Sequence, residues 1–164
     1  MTKPELFNKK SKTDLQKKLQ NEIFERVTCS FYRYVKISSP EAIRDALYLE
    51  WNELNILGRI YLAHEGINAQ ISVPEPQWDD FVSKLYHRKE FENMPFKIAI
   101  EEDNESFLKL IIRIKPQIVA DGLNDEQYDL SNIGKHLSAK EFNDAMDEEG
   151  TIIMDVRNHY ESEV

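Results

Sequence analysis

At 164 residues, 41% hydrophobic and 31% charged, the chain has room for one domain with a sizeable core, or for a small domain plus part of a second, and its composition is that of a packed globular protein. The net charge of −9 is uneven: residues 1–26 carry seven Lys/Arg against four Asp/Glu, 27–117 carry 11 against 14, and 118–164 carry three against 12, a balance that argues against indiscriminate polyanion binding while leaving room for a local basic surface. A single cysteine, Cys29, excludes a disulfide framework and a multi-thiolate zinc site, and no apolar run serves as a membrane span or a secretory signal, so the expected location is the cytoplasm.

The Lys-rich first 25 residues place Leu15, Leu19, Ile23 and Phe24 at helical spacing, which predicts an amphipathic helical extension. From Val27 to Ile37, VTCSFYRYVKI is dense in β-branched and aromatic residues and predicts a long strand, with Cys29 as a buried structural thiol. Ser39 as N-cap and Pro40 at the first helical position then open a helix whose apolar face is Ile43, Ala46, Leu47, Leu49, Trp51 and Leu54, ending before Gly58. Arg59 to Ala63 and Ile67 to Val73 alternate around His64-Glu65-Gly66 as a hairpin, with glycine supplying a positive φ.

After Pro74 and Pro76, the spacing of Trp78, Phe81, Val82, Leu85 and Tyr86 predicts a second helix. Phe96 to Glu101 and Phe107 to Ile114 read as two strands joined by a turn at Asp103-Asn104, with Leu108, Leu110, Ile112 and Ile114 on one face. The order β-α-β-β-α-β with one extra strand is the α+β, ferredoxin-like (acylphosphatase-like) plan: an antiparallel sheet with two helices on one face. Four segments follow: a helical extension (1–25), the α+β domain (26–117), a connector rich in turn residues (118–137), and the opening of a second domain (138–164). In the last, Ser138 caps a short helix and TIIMDV, residues 151–156, predicts a strand.

Two groups of residues stand out chemically. His64, Glu65 and Asn68 concentrate polar groups at the hairpin link, where a histidine beside a carboxylate can share a proton and an amide can bond a base edge; the alternative is that Gly66 makes the turn, Glu65 is solvated, and His64 and Asn68 serve local backbone groups. Strand alternation then sends Tyr32, Tyr34 and Lys36, Arg59 and Tyr61, Asn68, Gln70 and Ser72, and Lys109, Arg113 and Lys115 to the face away from the helices. Arg33 interrupts the inward series, which leaves room for a bulge or strand end that shifts the register. Tyrosines interleaved with basic and amide groups on an open sheet suit RNA, by stacking bases and tracking phosphates; the same face also suits packing against another domain.

Other patterns are weak. His64, His87, His136 and His159 lack metal-ligand spacing, no phosphate-binding glycine loop occurs, and Ser38-Ser39-Pro40 stands where an acylphosphatase would carry a glycine-rich, arginine-bearing loop.

SFYRYVKI (30–37), RDALYLEWNELNILGRIYLAHEGINAQISVP (44–74) and IVADGLND (118–125) resemble the rhodanese-related tRNA uridine hydroxylases, and MDVRNHYESEV (154–164) resembles the first strand and following loop of that family's rhodanese domain. The resemblance implies oxygen-dependent conversion of the wobble uridine of certain tRNAs to 5-hydroxyuridine, with molecular oxygen as co-substrate, no flavin or metal motif in view, and tRNA (its anticodon region) and the remainder of a truncated rhodanese domain as partners. It further implies a reactive cysteine on a loop beyond residue 164, so no catalytic residue is assigned within the chain and inactivity of this fragment is expected; Asp155 and Arg157 match the Asp-Val-Arg element and take a supporting role. Two alternatives stay open: a rhodanese-type sulfurtransferase and a non-catalytic scaffold.

Overall fold

The computed structural model describes residues 6–7, 9–99, 107–118, 134–135 and 137–155. The described parts fall into two compact units, residues 1–130 and residues 131–164.

The first unit opens with α1 (Lys12–Gln20), whose N-cap Ser11 accepts a hydrogen bond from the Asp14 backbone N–H. The helix ends earlier than the apolar spacing suggests: Leu15 is buried, whereas Ile23 lies beyond the end of α1 and is fully exposed. Strand β1 (Arg26–Tyr34) is followed by α2 (Pro40–Glu53), with Pro40 at the first helical position as expected. Its buried face differs in one place from the predicted stripe, because Tyr48 turns inward and Leu49 is 44% exposed. Helix α2 closes in a Schellman arrangement, with Asn55 in the left-handed region (φ 54°), Ile56 N–H bonding the Trp51 carbonyl and Asn55 N–H bonding that of Asn52.

Strands β2 (Leu57–Ala63) and β3 (Gly66–Pro74) form the expected hairpin, α3 (Trp78–Tyr86) follows, and β4 (Lys97–Ile98) and β5 (Leu110–Ile114) complete the sheet. The strand order is β4-β1-β3-β2-β5. Four strands pair antiparallel, which is the ferredoxin-like core, and β5 joins parallel to β2, so the sheet is mixed.

Strands β4 and β5, expected from the sequence as two strands joined by a turn, do not pair with each other but lie at opposite edges, covering β1 and β2 respectively. The Asp103-Asn104 turn lies outside the described residues.

The core is aromatic where both helices meet the sheet. Phe31 of β1 touches Trp51 of α2 and Phe81 of α3 with ring centroids 6.5 and 6.3 Å apart, and Phe96 closes the cluster at 5.3 Å from Phe31. Ile60, Leu62, Ile67, Ala69, Ile71 and Leu110 fill the rest of the helix-covered face.

Pairing of β1 with β3 runs without interruption from Arg26 opposite Pro74 to Tyr34 opposite Gly66, so Arg33 marks no bulge. It keeps to the inward series, and its guanidinium escapes desolvation at the strand end by donating to the carbonyls of Glu92 (2.7 Å) and Asn93 (2.9 Å).

In the second unit α4 (Ala139–Met146) starts at Ser138 in a reciprocal capping box with Glu141. Residues 151–155, read from sequence as a strand, pair with no strand among the described residues, and Ile152, Ile153 and Met154 are exposed. A strand exists only through its ladder, so β-propensity alone does not make one.

Candidate nucleic-acid interface

Registers across the sheet bring the outward residues into rows. Tyr32 stands opposite Asn68, Asn68 opposite Tyr61, and Tyr61 beside Arg113, a line crossing four strands, or about 14 Å at ordinary strand spacing. The next row runs Lys97, Ser30, Gln70, Arg59 and Ile111 across all five. Cys29, Phe31, Ile60, Leu62, Ala69 and Ile71, the alternating residues, are buried beneath the helices. The period of two therefore separates core from surface as the sequence indicated.

Tyr32 is 51% exposed and offers a ring to stack on. The Asn68 side chain beside it is half-buried and bonds no described residue, and its amide carries both a donor and an acceptor. Tyr61 is half-buried with the Lys115 ammonium 5.5 Å from its ring centroid, a cation–π pair that fixes positive charge at the end of the row. Arg59, Gln70, Lys109 and Arg113 are exposed on this face; Tyr34 is half-buried at the hairpin end, and Lys36 is exposed beyond the strand.

Lys97, which sequence reading left out, joins the face because its two-residue strand pairs Lys97 with Ser30. A strand that short has no alternation to read. Around Thr28, Ser30, Gln70, Lys97 and Phe107 lies a shallow depression of about 290 Å³ whose lining combines an amide, a cation and an aromatic ring.

One end of the face is closed rather than open. Ser72, expected among the outward residues, is buried beneath Arg26, whose 3%-exposed guanidinium donates to the carbonyls of Ser72 and Asn55 and pairs with both carboxylate oxygens of Glu22 at 2.7 and 2.8 Å. An isolated arginine would not be buried so; satisfied donors make it tolerable.

The hairpin link is built as a docked turn. The backbone N–H groups of Val35 and Ile37 bond the carbonyls of Glu65 and His64, both at 2.8 Å, so the chain leaving β1 cradles His64-Glu65. Gly66 is required: at φ 151° a Cβ there would lie 2.0 Å from the Arg33 carbonyl oxygen.

The two side chains take separate partners. His64 Nδ1 lies 3.0 Å from the Ile37 carbonyl oxygen, which matches the local-backbone alternative. Glu65 is not solvated: it is 6% exposed and its Oε1 accepts from the Ile118 N–H at 2.6 Å, tying the segment after β5 to the turn. Asn68, by contrast, is one strand position into the open face and belongs with the tyrosines. Cys29 is 2% exposed in the core. Asp155 is exposed in the second unit, and Arg157 lies outside the described residues.

Among the described residues no helix is long and apolar enough to cross a membrane. Residues 26–118 match the model of the UPF0176 acylphosphatase-like domain. The chain is 55% identical over 159 residues to a tRNA uridine(34) hydroxylase of Leptospira interrogans, covering 97% of this chain and 43% of that protein. It is 45% identical over 162 residues to the protein of the same name in Escherichia coli (strain SMS-3-5 / SECEC), covering 98% of this chain and 46% of that protein.

Among solved structures, BlrB, a BLUF protein in its dark state, aligns with 57% of this chain and 74% of its own at TM-score 0.41 and 15% identity, too slight a likeness to bear on fold or function. The chain thus spans less than half the length of these curated relatives, and with the matched domain covering more than half of its residues and laid out as the sheet just described, it belongs to the UPF0176 acylphosphatase-like family, together with proteins named tRNA uridine(34) hydroxylase.

Proposed function

We propose that this chain is the tRNA-holding part of an enzyme that hydroxylates the wobble uridine of tRNA to 5-hydroxyuridine with molecular oxygen in the cytoplasm, and that the open sheet face receives single-stranded nucleotides of the anticodon region. The observation that carries the second half is the row Tyr32, Asn68, Tyr61, Arg113: a ring, an amide, a second ring and a guanidinium in register on one open face. In single-stranded RNA the bases are unstacked and offer their edges, so rings take the base planes, amides the edges and cations the backbone. Under this reading the chain binds rather than reacts, because its one thiol, Cys29, is buried in the core and unavailable as a nucleophile. Residues 138–164 belong, on the same reading, to a rhodanese-type domain, with Asp155 and Arg157 supporting its active-site loop.

In cells lacking the gene, 5-hydroxyuridine-derived nucleosides should disappear from digested tRNA, return with the wild-type gene, and fail to return with Tyr32→Ala/Asn68→Ala. Stacking lost from one base corresponds to about 1–3 kcal/mol, a fall in tRNA affinity of at least about fivefold. Loss of a thiolated nucleoside instead would replace hydroxylation by sulfur transfer. Full recovery with the double variant would leave the sheet face as a scaffold surface.

A further inference from the structure

At the end of the sheet where β2 and β5 begin, a cleft of about 350 Å³ separates α1 and the residues before it from the C-terminal turn of α2. Four lysines line it: Lys9 and Lys10 before α1, Lys18 on α1, and Lys109 at the entrance to β5, with Asn52 and Asn55 from α2 and the loop after it. One acid, Glu22, also lines it, but its two oxygens are already taken by the buried Arg26, so this pair contributes no net charge. Lys18 Nζ rests on a neutral partner, the Asn55 side-chain oxygen at 3.0 Å, and Lys109 has no carboxylate partner among the described residues. Lys9 and Lys10 have contacts of their own, so Lys18 on α1 and Lys109 at the entrance to β5 are the cations that face each other across the cleft.

The cleft also connects with the sheet face. Lys109 lines it and also lines the neighbouring groove along β5, the outermost strand among the described residues, where Arg113 follows about 13 Å further along the strand. Arg113 is the end of the tyrosine–amide row.

We propose that this cleft seats phosphodiester groups of the same RNA strand whose bases lie on the sheet face, so that the backbone leaves the face along β5 past Arg113 and Lys109 and ends against Lys18. The inference rests on the tRNA-holding reading above. A phosphodiester fits because it has charge without bulk: it needs cations on facing walls and a neutral donor such as the Asn52 amide, and no deep apolar pocket.

The test is the salt dependence of tRNA binding to this chain, measured with a transcript carrying an unmodified wobble uridine between about 50 and 200 mM salt, where each phosphate contact on a single strand contributes about 0.7 to the slope of log K against log salt. Lys18→Ala/Lys109→Ala should lower that slope by about 1.4. Asn52→Asp, at an exposed position of α2, should weaken binding most at low salt. Tyr32→Ala should weaken binding at every salt concentration with an unchanged slope.

If Tyr32→Ala weakens binding while the lysine and asparagine variants, folded as judged by unchanged thermal unfolding, keep the wild-type slope, the cleft proposal is overturned and the sheet-face reading survives. If the wild-type chain binds no tRNA, both fall.

Discussion

Gly66 shows how one residue can hold a site together without chemistry of its own. Its backbone passes so close to Arg33 that any side chain collides with a carbonyl oxygen already committed to the β1–β3 pair, and neither backbone can yield without unpairing Tyr34 from Gly66. Gly66→Ala should therefore cost more than about 2 kcal/mol, beyond ordinary backbone strain. Urea unfolding of the variant should show a lower midpoint at unchanged slope. Gly134→Ala is the control, since a Cβ there meets nothing within 4 Å among the described residues, and its midpoint should hardly move. Glu65 works at the same scale in a different way: adjacent to His64 in sequence, it turns inward to the Ile118 N–H, so two neighbours that looked like a proton-sharing pair serve two separate attachments.

At the scale of elements, caps and partners decide where helices and strands end. Helix α4 has eight residues and no buried one, too short to persist on propensity alone, so its capping box matters. The hydrogen bond from Lys135 and those from the Ser138 backbone and hydroxyl draw the Glu141 carboxyl down from 4.5 to about 2. A lowered folded-state value means that this contribution is fully present above pH about 4.5 and is lost as pH falls through about 2. Residues 139–146 should accordingly lose helical chemical shifts in that acid range, and Glu141→Gln should flatten the transition.

Residues 151–155 illustrate the opposite case: the β-branched Thr151, Ile152 and Ile153 favour a strand, yet the segment has no ladder partner among the described residues. Strand β4 has the reverse history, two residues long yet placed in the sheet by the free edge of β1.

Across the whole molecule, stability is expected to be uneven. Strands β1, β3 and β2 are interior to the sheet, and Ile60, Ala69 and Ile71 in them are fully buried, so their amides should exchange with solvent only through global unfolding. The amides of α4, with no buried residue on the helix, should open at a cost within about 1–2 kcal/mol of zero. Native-state hydrogen exchange would show two classes of protection. A single class throughout would mean that α4 unfolds together with the sheet.

Much of this architecture was legible in the chain. Alternation along VTCSFYRYVKI and LIIRI, helical spacing from Trp78 to Tyr86, and the Ser-Pro helix start reported local geometry, because each buries a periodic set of side chains against one surface. From that alone came the order of elements, the core face, and the tyrosines and amides on the other face. Relations between segments distant in the chain were not legible. Periodicity says which way a residue points but not which strand lies beside it, so the parallel placement of β5 against β2, the Tyr32–Asn68–Tyr61–Arg113 row and the membership of Lys97 emerged only with the sheet order. Burial of Arg26 and Glu65 was hidden for a related reason: a charged side chain is buried only when distant carbonyls and N–H groups satisfy it, and those partners, Asn55, Ser72 and Ile118, are brought near by tertiary folding alone.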